Sequence, residues 1–471
     1  MIRCCWKFAR AFMVILAFQQ CAGVAIGQSL LSYGGGRYGA GTTLFRDYQA
    51  AGINPANLGI FEPATTFTFA FLEEDGRVHS DAIPKSDLIS SLLHGKKLNT
   101  EEKIEMGQLF AENGLSFNDD LMIVGFALQI PKGGGLAFTW KEKVTGNTIL
   151  NPAFSDLAFN GLNSKYIDSI VYDAFGVAIG LLDTLQTFSD YFNGTTLQFN
   201  WRREFNISYG RQIVKLSDFK IYGGLGIKFL RGNGIADINY SNNTASGFAA
   251  FSPLFNIDYA DITQPGVELK GDFTPVGKGF AVDFGGTLTY KDKIFAGISV
   301  TDLGSMKWTG NLVKLNDGIF DSLVNFAGIE SANIYSELES LLNANGLFQW
   351  SETSEIKQTL PAELRIGGAI RFSEKLEAGI DLIQPFNKNP GSSQRTTITG
   401  IVTVAPIKAI KISTGFIAGG IVDIDVPLGI AFSFVPQQAW QLSFGTSDII
   451  SLLKQDRPTV SLSVSLFRFK M

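Results

Sequence analysis

Ile424, Val426, Leu428, Ile430, Phe432 and Phe434 alternate with Asp423, Asp425, Pro427, Gly429, Ala431 and Ser433. A period of two places these sets on opposite faces of an extended strand. About eleven residues is also the length a tilted strand needs to cross the hydrocarbon of a bilayer. The pattern recurs along the chain. Phe280, Val282, Phe284 and Leu288 oppose Asp283, Thr287 and Thr289, and Leu364, Ile366, Ile370 and Phe372 oppose Glu363, Arg365 and Arg371. Ile410, Ile412 and Phe416 oppose Lys411 and Ser413, and Trp440, Leu442 and Phe444 oppose Gln441 and Ser443. A soluble barrel would turn the apolar set inward. Here the opposite set is carboxylates, hydroxyls and glycines, which suits a polar lumen and a lipid-facing exterior.

The connections separate a barrel from a sandwich. Tight turns stand at 131–135, 215–219, 290–293, 372–375, 405–408 and 435–438. Between them lie long connections at 74–118, 146–194, 241–278 and 305–360. Short turns at one end and long loops at the other are the habit of outer-membrane barrels. This scheme predicts an all-β fold, an antiparallel transmembrane barrel of about fourteen strands. The first strand is expected near 63–73 and the last near 458–470. Apolar spacing predicts helices in three of the long loops: 86–114, with Thr100 as a cap, 155–192 and 316–346.

Composition agrees. Of 471 residues, 39 are Phe and 51 Gly, and only 18% are charged, yet no apolar run after the start is long enough for a spanning helix. A β-solenoid is the rival all-β class, but the chain shows no fixed short repeat. Arg3, Lys7 and Arg10 precede the short apolar stretch Ala11 to Phe18, and Ala25-Ile26-Gly27 offers small residues for cleavage. Residues 1–27 therefore read as a signal peptide. Cys4, Cys5 and Cys21 all lie within it, so the mature chain has no thiol. Gln20 before Cys21 speaks against acylation. Residues 28–61 read as a plug and 62–471 as the barrel, placed in the bacterial outer membrane and facing its lipid.

Between the start and the first strand runs QAAGINPANLGIF, preceded by the glycine-rich SYGGGRYGAG. Gly52 and Gly59 permit tight bends, Pro55 fixes one and forces Asn54 extended, and Asn54 and Asn57 can bond neighbouring backbone. Asn54, Pro55 and Ala56, followed by Asn57 and Gly59, resemble the hatch of the FadL family of outer-membrane transporters and of its PorV-type branch. GFAVDFGGTLTYKDKIFAGISVTDLG, from Gly279 to Gly304, resembles a hairpin of the PorV-type members. The resemblance implies a fourteen-stranded barrel with an N-terminal hatch in its lumen. It also implies a lateral exit at a kink in the third strand, which would fall near Leu136 to Val144.

Catalytic chemistry finds little footing. His79 and His94 are the only histidines, and no G-x-S-x-G elbow occurs. No enzyme activity, cofactor or metal is expected, and a net charge of −5 without basic tracts excludes a nucleic-acid partner. Arg202, Glu204, Lys228, Asp283, Glu363, Arg365, Arg371, Glu377, Asp381, Asp423 and Asp425 fall on inward phases, with mixed signs. They read as a ladder of ion pairs that holds the plug. The leading expectation is passage of small hydrophobic molecules through a plugged barrel. The alternative is a non-transporting component that binds or presents exported proteins at the cell surface.

The last strand, TVSLSVSLFRFKM, carries a conflict. Val460, Leu462, Val464 and Leu466 take the outward phase, while Phe467 and Phe469 fall on the phase of the serines. A slip of one residue exchanges the faces, so a β-bulge is expected at Leu466 to Arg468.

Overall fold

The computed structural model describes residues 31–32, 37–60, 65–80, 97–111, 114–257, 273–331, 334, 337–393, 395–420, 422–434, 439–454 and 459–471. The expected signal peptide and the turn at 435–438 lie outside the described residues. Fourteen antiparallel strands close a barrel. They are β1 Phe67–Ser80, β2 Gly114–Ile130, β3 Gly134–Ile149, β4 Thr196–Lys215, β5 Phe219–Ser241, β6 Gly277–Tyr290 and β7 Ile294–Trp308. The second half holds β8 Glu363–Ser373, β9 Leu376–Pro385, β10 Thr397–Ile407, β11 Ile410–Gly419, β12 Leu428–Phe434, β13 Trp440–Thr446 and β14 Thr459–Lys470. Five short segments extend individual strands at the long-loop end.

Closure is made by β14 on β1, in register from Thr459 opposite His79 to Lys470 opposite Thr68. Beyond it, the carbonyl of Met471 accepts from the amides of Thr66 (2.7 Å) and Phe67 (2.9 Å). No barrel edge is left open, as a bilayer requires. The faces divide as the alternation predicts. Phe280, Phe284, Ile298, Ile366, Ile380 and Phe444 are exposed on the outside, while Thr287, Ser299, Thr399 and Ser443 are buried within. Aromatic pairs gather near the short turns, Phe219 with Tyr290 (4.7 Å between centroids) and Phe434 with Trp440 (4.9 Å). Such a girdle marks a membrane interface.

The expected bulge is present. Along β14, Ser461, Ser463 and Ser465 face in and Leu462 and Leu466 face out; then Phe467 also faces out, Arg468 in and Phe469 out. Pairing with β13 slips by one residue between Gln441–Arg468 and Ser443–Ser465.

Other expectations are corrected. The eleven-residue strand at 424–434 is broken. Val422–Asp425 pairs with the top of β11 and Leu428–Phe434 with its lower part. Pro427 has no N–H for the ladder, and the amide of Val426 donates instead to the Asp448 carboxylate (3.2 Å). β1 continues to Ser80 and β2 begins at Gly114, so the first long connection is shorter than expected. It holds α1, Thr100–Phe110, whose cap is Asn99 and not Thr100. The Asn99 side chain accepts from the Glu102 amide (3.0 Å), and the Glu102 carboxylate accepts from the Asn99 amide (2.9 Å). This is a reciprocal capping box.

The loops expected to be helical at 155–192 and 316–346 are as much sheet as helix. α2, Pro152–Asn160, is followed by the hairpin Ser169–Tyr172 and Ala178–Thr187, and the latter pairs with Ile319–Val324. Short apolar runs fit either period, and the β-branched and aromatic content of these settles on strand. The connection at 241–278 opens with a hairpin in which β5 returns as Thr244–Phe251. Its turn is Asn242-Asn243, with φ of 52° and 54°, a left-handed pair that asparagine tolerates. These loops share a large apolar core with the upper barrel, including Phe110, Phe117, Phe154, Phe192, Phe251 and Phe320.

Candidate functional site

Three short helical turns, Gly41–Leu44, Asp47–Ala50 and Pro55–Gly59, form the N-terminal segment inside the barrel. Asn54 starts the last of them, its side-chain oxygen accepting from the Ala56 amide (3.2 Å), with Pro55 at the first helical position. Both asparagines are fully buried. The Asn54 side-chain amide donates to the Thr42 carbonyl (2.7 Å) and to the Thr287 hydroxyl (3.0 Å) on β6. That hydroxyl donates in turn to the Asn57 side-chain oxygen (2.7 Å), and the Asn57 amide donates back to Thr42 (3.1 Å). On β7 the Ser299 hydroxyl donates to the Ile53 carbonyl (2.6 Å). An irregular segment thus meets its backbone needs from the wall, as a core-free insert must.

Shape matches chemistry. The turn lies against a strip of wall glycines that the sequence reading did not single out. A Cβ built on Gly135 would stand 2.3 Å from the Leu58 carbonyl oxygen, and one on Gly210 2.1 Å from that of Pro55. On Gly224 it would be 2.2 Å from the Pro55 carbonyl carbon, and on Gly285 2.0 Å from the Asn54 side-chain oxygen. Glycine inside a strand often marks such a close approach, so paired glycines at 134–135, 223–224 and 285–286 were the available signal.

The inward charges form several groups. Lys228 bonds Asp302 (2.6 Å) and Asp283 (3.1 Å), while Arg202 bonds Glu204 (2.7 Å) and lies 3.8 Å from Asp302. Lys143 reaches Glu204 at 3.2 Å. Lys143 and Asp302 complete a network of which the inward phases had supplied four members. Arg365 pairs with Glu363 (2.5 Å) as a second group, and Asp425 with Arg77 (2.5 Å) as a third. Asp381 instead holds the hatch, accepting from both the amide and the hydroxyl of Thr42 (2.9 Å each). Arg371 and Glu377 pair at 3.6 Å near a short turn, with the arginine side chain 38% exposed. The side chain of Asp423 lies outside the described ones.

A further anchor was missed. Asp47 of the hatch bonds Arg468 of β14 (2.6 Å), and the Tyr48 hydroxyl donates to Glu73 of β1 (2.9 Å), which also accepts from Ser465 (2.6 Å). Burial pushes the Tyr48 phenol well above its ordinary pKa, so it stays a neutral donor. The bulge in β14 is what brings Arg468 inward. Beside Ala51 to Ile53 of the hatch a cavity of about 50 Å³ is lined by Lys141, Lys143, Arg202, Glu204, Asp302 and Arg365 among others. That is room for ordered water and little else.

Where a third-strand exit was expected, β3 is irregular on one side: its pairing with β2 slips by one residue between Met122–Lys141 and Val124–Trp140, a bulge within Leu136 to Val144. On the other side β3 pairs with β4 without interruption from Gly135 opposite Gly210 to Ile149 opposite Thr196, through the whole of Leu136 to Val144.

Solved structures with similar chain paths include a TodX deletion variant described as a monoaromatic hydrocarbon channel, with a TM-score of 0.47, 10% identity and coverage of 94% of this chain and 98% of that one. The Ralstonia pickettii toluene transporter TbuX gives 0.43 at 10% identity, covering 94% and 98%. A Pseudomonas aeruginosa FadL homologue gives 0.43 at 10% identity, covering 95% and 97%. No curated protein matches the sequence. A family model covers residues 75–434, from within β1 to the end of β12, and the chain belongs to that family, a family of unknown function (DUF5723).

Proposed function

We propose that this barrel passes small hydrophobic molecules across the outer membrane and that the N-terminal hatch is the plug whose movement opens it. One observation carries the reading: the hatch turn lies in contact with the wall glycines and the cavity of about 50 Å³ beside it is too small for a solute, so axial passage requires the hatch to shift. Two features support a hydrophobic cargo over an ionic one. Each lysine and arginine of the lumen network named above is paired with a carboxylate, which leaves no free cation among them to draw an anion inward. The mouth above them is closed by an aromatic-rich apolar core, a surface on which such molecules partition. No catalytic role is assigned to the chain.

Deletion of Gly34 to Gly59 tests the plug. Reconstituted in planar bilayers, the deleted barrel is expected to conduct at a steady level while the full chain stays closed. Vesicles carrying it should also take up the hydrophobic dye N-phenyl-naphthylamine faster. Unchanged conductance in a folded deletion variant rules the plug out.

A further inference from the structure

The hairpin Ser169–Tyr172 and Ala178–Thr187 stands in the long-loop crown, at the side of a three-stranded sheet. Ser169–Tyr172 is the outermost strand of that sheet, paired with Ala178–Leu181 on one side and with no other strand among the described residues. All four of its residues are exposed. The turn that follows is closed by hydrogen bonds of its own. The Asp173 carboxylate accepts from the amides of Phe175 and Val177 (2.8 Å each), and the Asp173 amide donates to the Val177 carbonyl (3.0 Å). It presents Phe175 with 91% of its surface exposed, beside Tyr172 at 71%.

Edge strands in soluble regions are normally guarded by lysine, proline, a bulge or a covering element, because their free amides and carbonyls template further pairing. The sequence SIVY carries none of these guards. It does carry charge of one sign nearby. Asp168, Asp173 and Asp183 are exposed, and no Lys or Arg occurs between Tyr166 and Tyr191. Two such edges laid together would oppose carboxylates with carboxylates, which disfavours pairing between copies of this chain. A segment with lysine or arginine among β-branched residues fits instead.

We propose that Ser169–Tyr172 is a docking edge onto which an extended, basic and apolar segment of another polypeptide adds as a fourth strand. Backbone hydrogen bonds supply the affinity. The carboxylates at Asp168, Asp173 and Asp183 select the charge of the segment. Tyr172 and Phe175 offer it apolar and aromatic contact at the turn. This activity of the crown is separate from passage through the lumen, so conductance and docking can fail independently.

The test uses the full-length barrel in lipid nanodiscs and three fluorescein-labelled peptides, read by anisotropy. KVTVKVTVK is the basic probe, EVTVEVTVE its acidic counterpart, and the third is the basic probe N-methylated at alternate residues. Binding of the basic probe is expected to be at least about tenfold tighter than that of the other two. Ile170→Pro removes an outward amide, since the Asp173–Val177 bond places the Val171 amide in the hairpin ladder, and should weaken binding at least about tenfold while heat-modifiable gel mobility stays unchanged. Should that variant misfold, Asp168→Lys with Asp183→Lys serves instead and should reverse the preference toward the acidic probe. Equal binding of basic and acidic probes, indifference to N-methylation, or no binding at all overturns the proposal. So does a dimer of the barrel that Ile170→Pro dissolves, which would assign the edge to a second copy.

Discussion

One hydroxyl organises the hatch. Thr287 accepts from Asn54 and donates to Asn57, so the two asparagines of the NPAN turn are locked to the same point on β6. The arrangement works only because the neighbouring wall has no side chains to hold the turn away. Gly224→Val inserts its branched carbon into the space of the Pro55 carbonyl. The hatch is then expected to detach, read as protease cleavage within residues 41–59 and as channel openings in planar bilayers. Gly286→Val is the matched control, because a Cβ there meets only the Ile298 side chain at 3.7 Å. Equal hatch protection in the two variants would remove the glycine strip from the account.

At the scale of single elements, β14 joins folding to plugging. Its bulge turns Phe467 and Phe469 toward lipid and Arg468 toward Asp47. Phe469→Ser removes an outward aromatic at the end of the chain and should reduce membrane insertion much more than Ser463→Ala, whose side chain faces the lumen. Heat-modifiable mobility measures the inserted fraction, and equal fractions would undo this assignment. The bulge was legible because two phenylalanines fell out of phase with a clean alternation. The same alternation made β6, β8, β11 and β13 legible, since each buries hydroxyls, charges or amides on one face and turns apolar residues outward. Residue period says nothing about ladder donors, so Pro427 read as one more inward residue and the break at Val426 stayed hidden. Nor does it choose between strand and helix in runs as short as SIVYDAFG, which is why the crown sheet read as helix. Arg468, Asp47 and Asp302 were missed for another reason. These ion pairs join residues 74 positions apart, as Lys228 and Asp302, or 421, as Asp47 and Arg468, and nothing local announces the partner.

For the whole molecule, hatch and barrel share two small apolar clusters, Tyr48 and Leu58 with Met122 and Leu44 with Phe295 among them, but buried polar contacts fix the position of the hatch, and that predicts how the plug responds to perturbation. Arg468→Met leaves Asp47 buried with Lys470 as its nearest cation, at 3.9 Å. Breaking one side of a buried pair typically costs about 3–5 kcal/mol. Docking of the hatch should absorb most of that cost, because the strands keep their ladders while the segment can leave the lumen. The expected outcome is frequent channel openings at unchanged thermal unfolding of the barrel. Asp47→Asn added to Arg468→Met removes the stranded charge and should restore much of the closure. A double variant that opens as often as the sum of the single ones would show that the two residues act separately, and the ion pair could not then be what holds the hatch to the closing strand.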